Sequence, residues 1–381
     1  METPPNKEKK NLLVFLISQF CNNLNFAMWR SVYNNFLHER FSVTEFQRGY
    51  LAAIREAPGL VPVLFTAGIT SLAETNIAGI YMLITGLGTL AFVFADRFWS
   101  LILALLLMSG GMHLAMPLRS SISLRLGKEG AKAKWLGQIG SVNAAAALAG
   151  SGLVALLIGV LKYNGVFIVA SVVSVIATIA MLLVRLGDKG DVGRSRFAIK
   201  RKYSLYYTLN FLDACRRHIF VTFAAYGLVK IHGVNTQTIA ILIFINNGIN
   251  IYTRQMMGGL IDRFGERRIL MFNYSVLIFI FLGYAYVVYI PLLYVLYCLD
   301  NVLFGFSMAK TTYLDKIAPR EDITASIAFG ITLNHISAVS LLPTAGYLWG
   351  RYGYETPFLI GVCILFLSIF VSSRIRIPER S

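Results

Sequence analysis

Charge is scarce in this chain. Asp, Glu, Lys and Arg make up 14% of its 381 residues, hydrophobic residues make up 56%, and the mean hydropathy is +0.63. A water-soluble fold of this size has too little polar side chain to cover that much apolar surface. Carboxylates are the scarcest charged groups, 19 against 35 Lys and Arg, which leaves a net charge of +16. The four cysteines (Cys21, Cys215, Cys298, Cys363) all sit in apolar runs without a Cys-x-x-Cys. That pattern suggests neither a disulfide framework nor a metal site; they read as small buried hydrophobes. There is no Gly-x-x-x-x-Gly-Lys-Ser/Thr segment, which excludes a phosphate-cradling loop and an engine driven by nucleotide. No nucleophile–base motif or metal-ligand spacing stands inside an apolar run, so neither an enzyme nor a cofactor is expected.

What is present is a succession of apolar runs of about 18 residues or more, each long enough to cross roughly 30 Å of hydrocarbon. The expected spans are 12–37, 46–70, 77–95, 99–118, 135–161 and 165–184, followed by 203–229, 236–259, 268–289, 291–314, 325–349 and 356–373. The first follows a basic stretch, Lys7–Lys10, but it is too long and too rich in Asn for a cleavable signal segment. With the N-terminus placed inside, Lys and Arg concentrate in the N-terminal tail, in alternate loops and in the C-terminal tail. That is the positive-inside bias. The expectation is a multi-pass protein of the plasma (inner) membrane with both termini cytoplasmic. The basic balance thus belongs to the bilayer, and nucleic acid is not an expected partner, because no groove-reading element carries the charge.

The two sets of six spans are related. A shift of 191 residues aligns the halves without a gap: Gln19-Phe20 falls on Asn210-Phe211, Gly68 on Gly259, Arg119-Ser120-Ser121 on Lys310-Thr311-Thr312, Asn143 on Asn334 and Tyr163 on Tyr354. The expected organisation is all-α, a six-helix bundle over 1–184, a cytoplasmic linker over 185–202 with seven cationic residues, and a second six-helix bundle over 203–381. A duplicated six-span unit is the architecture of secondary transporters that hold cargo between two similar bundles.

After the eighth span comes Gly258-Gly259-Leu260-Ile261-Asp262-Arg263-Phe264-Gly265-Glu266-Arg267-Arg268. It resembles the Gly-x-x-x-Asp-Arg-x-Gly-x-Arg-Arg loop of the major facilitator superfamily, and the resemblance extends to the whole chain in architecture. It implies a gating role for Gly258, Asp262, Arg263, Gly265, Arg267 and Arg268. Gly would let two helices approach closely, and the arginines would hold the cytoplasmic face shut through charge-assisted hydrogen bonds. The N-terminal copy departs from the pattern: Ser71 stands where the repeat has Asp262, and Asn76-Ile77 where it has Arg267-Arg268. That copy is expected to have lost its charges. Span four, ended at 118, lacks the Arg of proton-coupled drug exporters, and span five lacks their Gly-Pro signature.

Polar residues within the spans mark a cavity. Gln19, Asn22, Asn23, Phe26 and Arg30 recur at helical spacing on one face of the first span. In hydrocarbon such a face is costly, whereas lining water it is not; the plainer reading is amide glue between helices. Span seven carries Asp213 and Arg217 as an i,i+4 pair with Arg216 beside them. Span two carries Arg55 and Glu56, which point about 100° apart and are expected to find partners elsewhere, Arg30 being the expected partner of Glu56; Pro58 is expected to kink the helix. Asn143, Asn246, Asn250 and Asn334 complete the candidate substrate-binding set, with Asp300-Asn301 in span ten. Arginines in the spans outnumber the carboxylates Glu56, Asp213 and Asp300, which favours anionic cargo.

The resulting expectation is a secondary transporter for a small anionic or zwitterionic solute, proton-coupled through the titratable groups Glu56 and Asp213. Its partners are that small molecule, protons or another coupling ion, and the lipid bilayer; a monomer is expected. An efflux pump or flippase for amphipathic compounds, and a transport-inactive sensor on the same fold, are the alternatives.

Overall fold

A computed structural model describes residues 5–61, 73–127, 132–186 and 200–376. Helices account for the regular structure of these residues. They are α1 (Pro5–Phe41), α2 (Glu45–Glu56), α3 (Glu74–Ala91), α4 (Phe98–Leu126), α5 (Lys132–Leu183), α6 (Ser204–Ile219), α7 (Ala225–Lys230), α8 (Thr236–Phe264), α9 (Glu266–Tyr286), α10 (Ile290–Leu303), α11 (Met308–Ile317), α12 (Arg320–Tyr352) and α13 (Thr356–Ser372). A π-helical turn, Phe220–Ala224, joins α6 to α7, and a 3₁₀ turn, Phe304–Ser307, joins α10 to α11, so each pair makes one span. α5 in turn is two spans broken at Lys162, whose φ of 53° and ψ of −174° are not helical. Counted this way the fold is the expected twelve-span, all-α membrane protein in two six-helix sets.

The breaks lie where the sequence repeat puts them. Ser42 and Lys162 are the two positive-φ residues other than glycine among the described residues, at 47° and 53°, and 191 residues later stand Gly233 at 64° and Gly353 at 115°. The duplication therefore extends to the backbone, with glycine at these turns in one half and strained L-residues in the other. Pro58 acts as expected, since α2 ends at Glu56 and a 3₁₀ turn, Ala57–Leu60, follows.

The helices pack into two compact units: Met1–Ser42 with Pro58–Val192 and Asn235–Asn247, and Val43–Ala57 with Gly193–Val234 and Gly248–Ser381. In the first, α1 lies on α5 through polar contacts suited to lipid, where apolar burial gives no drive to associate. Ser18 donates to the Ala177 carbonyl at 2.8 Å and Asn25 to the Ala170 carbonyl at 2.8 Å, while Ser171 and Ser174 donate to the carbonyls of Gly86 and Met82 on α3. Trp29, Phe36, Phe92 and Phe167 fill the space between these helices with ring contacts of 5.0–6.0 Å. In the second unit, α2 lies so close on α12 that a Cβ on Gly49 would strike the Leu342 carbonyl, and one on Gly346 the Glu45 carbonyl. Outside that seam, Lys230 pairs with Glu45 at 2.8 Å and the Tyr226 hydroxyl donates to the Val43 carbonyl at 2.6 Å. Large apolar side chains such as Leu156, Val160 and Phe279 are more than 70% exposed, which fits surfaces solvated by lipid tails.

Candidate functional site

The densest polar chemistry lies in the second unit, on α6 and on the α10–α11 span. Asp213 accepts from Arg216 Nε at 2.9 Å and from Lys310 Nζ at 2.5 Å. Asp300 accepts from Arg216 Nη1 at 3.2 Å and from Arg217 Nη1 at 2.5 Å, and Arg217 Nη2 reaches the Asn301 side-chain oxygen at 3.0 Å. Asp213 and Arg217 are thus not the i,i+4 pair expected from spacing. Asp213 takes Arg216, three residues on, because α10 presents Asp300 to Arg217 and α11 presents Lys310 to Asp213. Among the described residues the network joins three cations to two carboxylates. Arg216 and Asp300 are fully buried, and Arg216 Nη2 is buried without a hydrogen-bond partner among the described residues; Arg217 keeps 16% of its side chain exposed. The Phe304 ring centroid lies 4.3 Å from the Arg217 guanidinium carbon. The π turn of Phe220–Ala224 begins two residues after His218, a device common beside functional groups.

A second group in this unit contains Glu56. The expectation that Arg55 and Glu56 cannot meet fails: Arg55 is long enough to fold back, and its Nη2 lies 2.7 Å from Glu56 Oε1. The other oxygen, Oε2, lies 3.0 Å from His335 Nδ1, rather than on Arg30. Glu56 and His335 are both buried. Beside His335 on α12, Asn334 meets His218 Nε2 at 2.9 Å.

The first unit carries a separate polar face. Asn23 donates to the Gln19 carbonyl at 2.8 Å and to the Asn143 side-chain oxygen at 2.7 Å. Arg119 donates through Nε, at 3.0 Å, and through Nη2 to the Gln19 side-chain oxygen. Phe26 stacks on Trp29 at 5.7 Å, Asn22 is buried, and Arg30 is half-buried. Asn246 is buried in the first unit, and Asn250, beyond the unit boundary in α8, is half-buried.

At the motif, Gly265 (φ 80°) makes the turn between α8 and α9. Close approach at Gly258 and Gly259 is not found: a Cβ on either meets nothing within 4 Å among the described residues. Asp262, Arg263, Arg267 and Arg268 are exposed, and the ion pair at this turn is instead buried Glu266 with Lys316 at 2.5 Å. In the first unit Arg125 pairs with Glu74 at 3.5 Å, and Ser121 donates to the same carboxylate at 3.1 Å. Arg125 is the repeat counterpart of Lys316, so the N-terminal copy keeps a charge contact. Ser71 lies outside the described residues.

Sequence reasoning passed over Arg119, Lys310 and Glu266. For Arg119 the cause was a span ended at 118, whereas α4 continues to Leu126. The repeat itself held the signal, since it sets Arg119 on Lys310.

No curated protein matches this chain. Among solved structures it is similar to the nucleoside transporter NupG (TM-score 0.79, 15% identity, 96% of this chain and 98% of that one). It is also similar to a bacterial homologue of the human lysosomal transporter Spinster in an inward-facing, occupied conformation (TM-score 0.75, 14% identity, 98% of both chains). A D-xylose–proton symporter gives 0.73 at 12% identity over 97% of this chain and 98% of that one. At such identities the likeness is one of fold. The sequence profile of the Major Facilitator Superfamily matches residues 15–339, and with its twelve spans in two six-helix sets the chain belongs to that superfamily of membrane transporters.

Proposed function

We propose that the chain is a proton-coupled secondary transporter that moves a small anionic or zwitterionic solute by alternating access, in the plasma (inner) membrane with both termini cytoplasmic. The observation that carries this reading is the buried network of Asp213, Arg216, Arg217, Asp300 and Lys310, which among the described residues joins three cations to two carboxylates. A cation in low dielectric is stabilised by a negative partner, and an anionic group arriving from water would supply one. Arg217 is the member best placed to meet it, since part of its guanidinium is exposed and its planar fork suits a carboxylate or phosphate.

Coupling is assigned to Glu56 rather than Asp213. Asp213 is held between two cations, whereas Glu56 shares its carboxylate with His335, a second titratable group 3.0 Å away. A proton loaded on that couple would change its interaction with Arg55. Symport is supported by the D-xylose–proton symporter among the structures of like fold, and anionic cargo by the network alone.

The test is uptake into proteoliposomes. Anionic metabolites that raise the thermal midpoint of the purified protein are offered with and without an inward proton gradient. Saturable uptake accelerated by the gradient is expected. Uptake of apolar dyes or lipids in place of anions would favour the efflux or flippase reading, and ligand binding without uptake a sensor.

A further inference from the structure

The two halves differ at one matched position. Under the 191-residue shift, Arg119 corresponds to Lys310, Gln19 to Asn210 and Asn22 to Asp213. In the second unit the cation at this place is neutralised within its own unit, Lys310 lying 2.5 Å from Asp213. In the first unit the carboxylate is replaced by Asn22, and the Arg119 guanidinium rests on the neutral side-chain oxygen of Gln19 through two of its nitrogens.

Gln19 makes the contrast sharper. It is 2% exposed, its oxygen is turned to Arg119, and its amide nitrogen Nε2 is buried without a hydrogen-bond partner among the described residues. Among the described residues, Arg119 and Gln19 together thus present N–H groups in excess of acceptors, on helices long and apolar enough to cross the bilayer. Asn23 and Asn143 continue the face, with the Asn23 amide already donated to Asn143 and to the Gln19 carbonyl. A buried donor left unpaired costs about 1–3 kcal/mol, and more when the donor set is charged. An oxyanion is an acceptor that suits both kinds of donor.

We infer that Arg119, held in place by Gln19, is the anion-binding residue of the first unit, and that its ligand is the carboxylate or phosphate group of a small solute. The inference rests on the transporter reading for its biological meaning, but its test is one of binding. Asn22 in place of a carboxylate is what keeps the site open, because an aspartate there would neutralise the cation as Asp213 neutralises Lys310.

The full chain in lipid nanodiscs is titrated with acetate, succinate and inorganic phosphate at constant ionic strength while thermal unfolding is followed. At least one of them is expected to raise the midpoint saturably. Half-saturation is expected to rise at least tenfold in Arg119→Gln and by less in Arg119→Lys, which keeps the charge but not the fork. Asn22→Asp is expected to weaken binding at least tenfold while leaving Arg119 in place, and it decides the matter should Arg119→Gln not fold. Lys162→Gly, away from this face, is expected to keep the wild-type response. A wild type indifferent to all three anions, or unchanged half-saturation in Arg119→Gln and Asn22→Asp, overturns the assignment. Loss confined to Arg217→Gln also overturns it, and leaves the transporter reading standing.

Discussion

Lys162 and Gly353, 191 residues apart, carry the same break between two helices, with φ/ψ of 53°/−174° at the lysine and φ 115°, ψ 166° at the glycine. The lysine bears steric strain of about 1–3 kcal/mol for a conformation that glycine adopts freely. Replacing it with glycine costs about 0.4–1 kcal/mol through the greater freedom of the unfolded chain. Lys162→Gly is therefore expected to stabilise the protein by up to about 2 kcal/mol. Gly353→Ala should destabilise it, since the new Cβ would also sit 2.7 Å from the Glu355 carboxylate oxygens. Thermal midpoints in the same detergent check both, and a less stable Lys162→Gly would refute the strain.

The partner assignments in the buried network predict its couplings. A double-mutant cycle on Arg217→Gln and Asp300→Asn should give a coupling of about 1–3 kcal/mol, because the two side chains share a hydrogen bond. A cycle on Arg217→Gln and Asp213→Asn should give much less. Asp300→Asn alone should be the most damaging single change, as it leaves Arg216 and Arg217 without their shared carboxylate, at about 3–5 kcal/mol for a broken buried pair. Equal couplings in the two cycles would mean that the arginines exchange partners.

Much of this architecture is legible in the sequence, for a physical reason. Spans must be long and apolar to cross lipid, and a gapless duplication repeats every constraint on them. The repeat also held Arg119 against Lys310, and Ser42 and Lys162 against glycines that turn. Partner choice was not readable. Arg216 and Arg217 are both within helical reach of Asp213, and the choice is made by Asp300 and Lys310 on other helices. The Cα–Cβ bonds of Arg55 and Glu56 point apart, but a long, flexible arginine side chain is not bound by that direction. The motif pointed to Asp262 and its arginines, while burial selected Glu266, which the pattern leaves unspecified.

The turns at Glu266 and Glu74 predict paired kinetic defects. Each carboxylate ties the start of one helix to a cation late in the next span, Lys316 in one case and Arg125 in the other. Ties of this kind are expected to favour one conformation without touching cargo. Glu266→Gln and Glu74→Gln should each lower the uptake rate several-fold with KM changed less than twofold. Asp262→Asn should act in the same sense and more weakly, being exposed, and Ser71→Ala should do little. A raised KM at unchanged maximal rate would place these turns in binding instead.

Orientation has its own test. Single cysteines at Ser195, which lies outside the described residues, and at Thr44, the N-cap of α2, are treated in intact cells with a membrane-impermeant thiol reagent. The positive-inside bias predicts labelling at position 44 and protection at 195 until the membrane is opened. The reverse pattern would invert the assignment of both termini.

The Glu56–His335 couple predicts a separation of transport modes. Net accumulation against a gradient needs a proton to be carried and released, whereas exchange of labelled for unlabelled solute needs only the loaded protein to change its accessible side. Glu56→Gln mimics the permanently protonated acid and leaves Arg55 without its 2.7 Å partner. It should abolish proton-driven accumulation in proteoliposomes while exchange of the anion found by thermal shift persists within about threefold. His335→Asn keeps a polar group beside the carboxylate but removes the imidazole, and should lower proton-driven accumulation more than exchange. The two modes are measured on one preparation, so misfolding would lower both together. Proton-driven accumulation that survives in Glu56→Gln would remove Glu56 from the coupling path, and the next carboxylate to test would be Asp300, which shares Arg217 with the network.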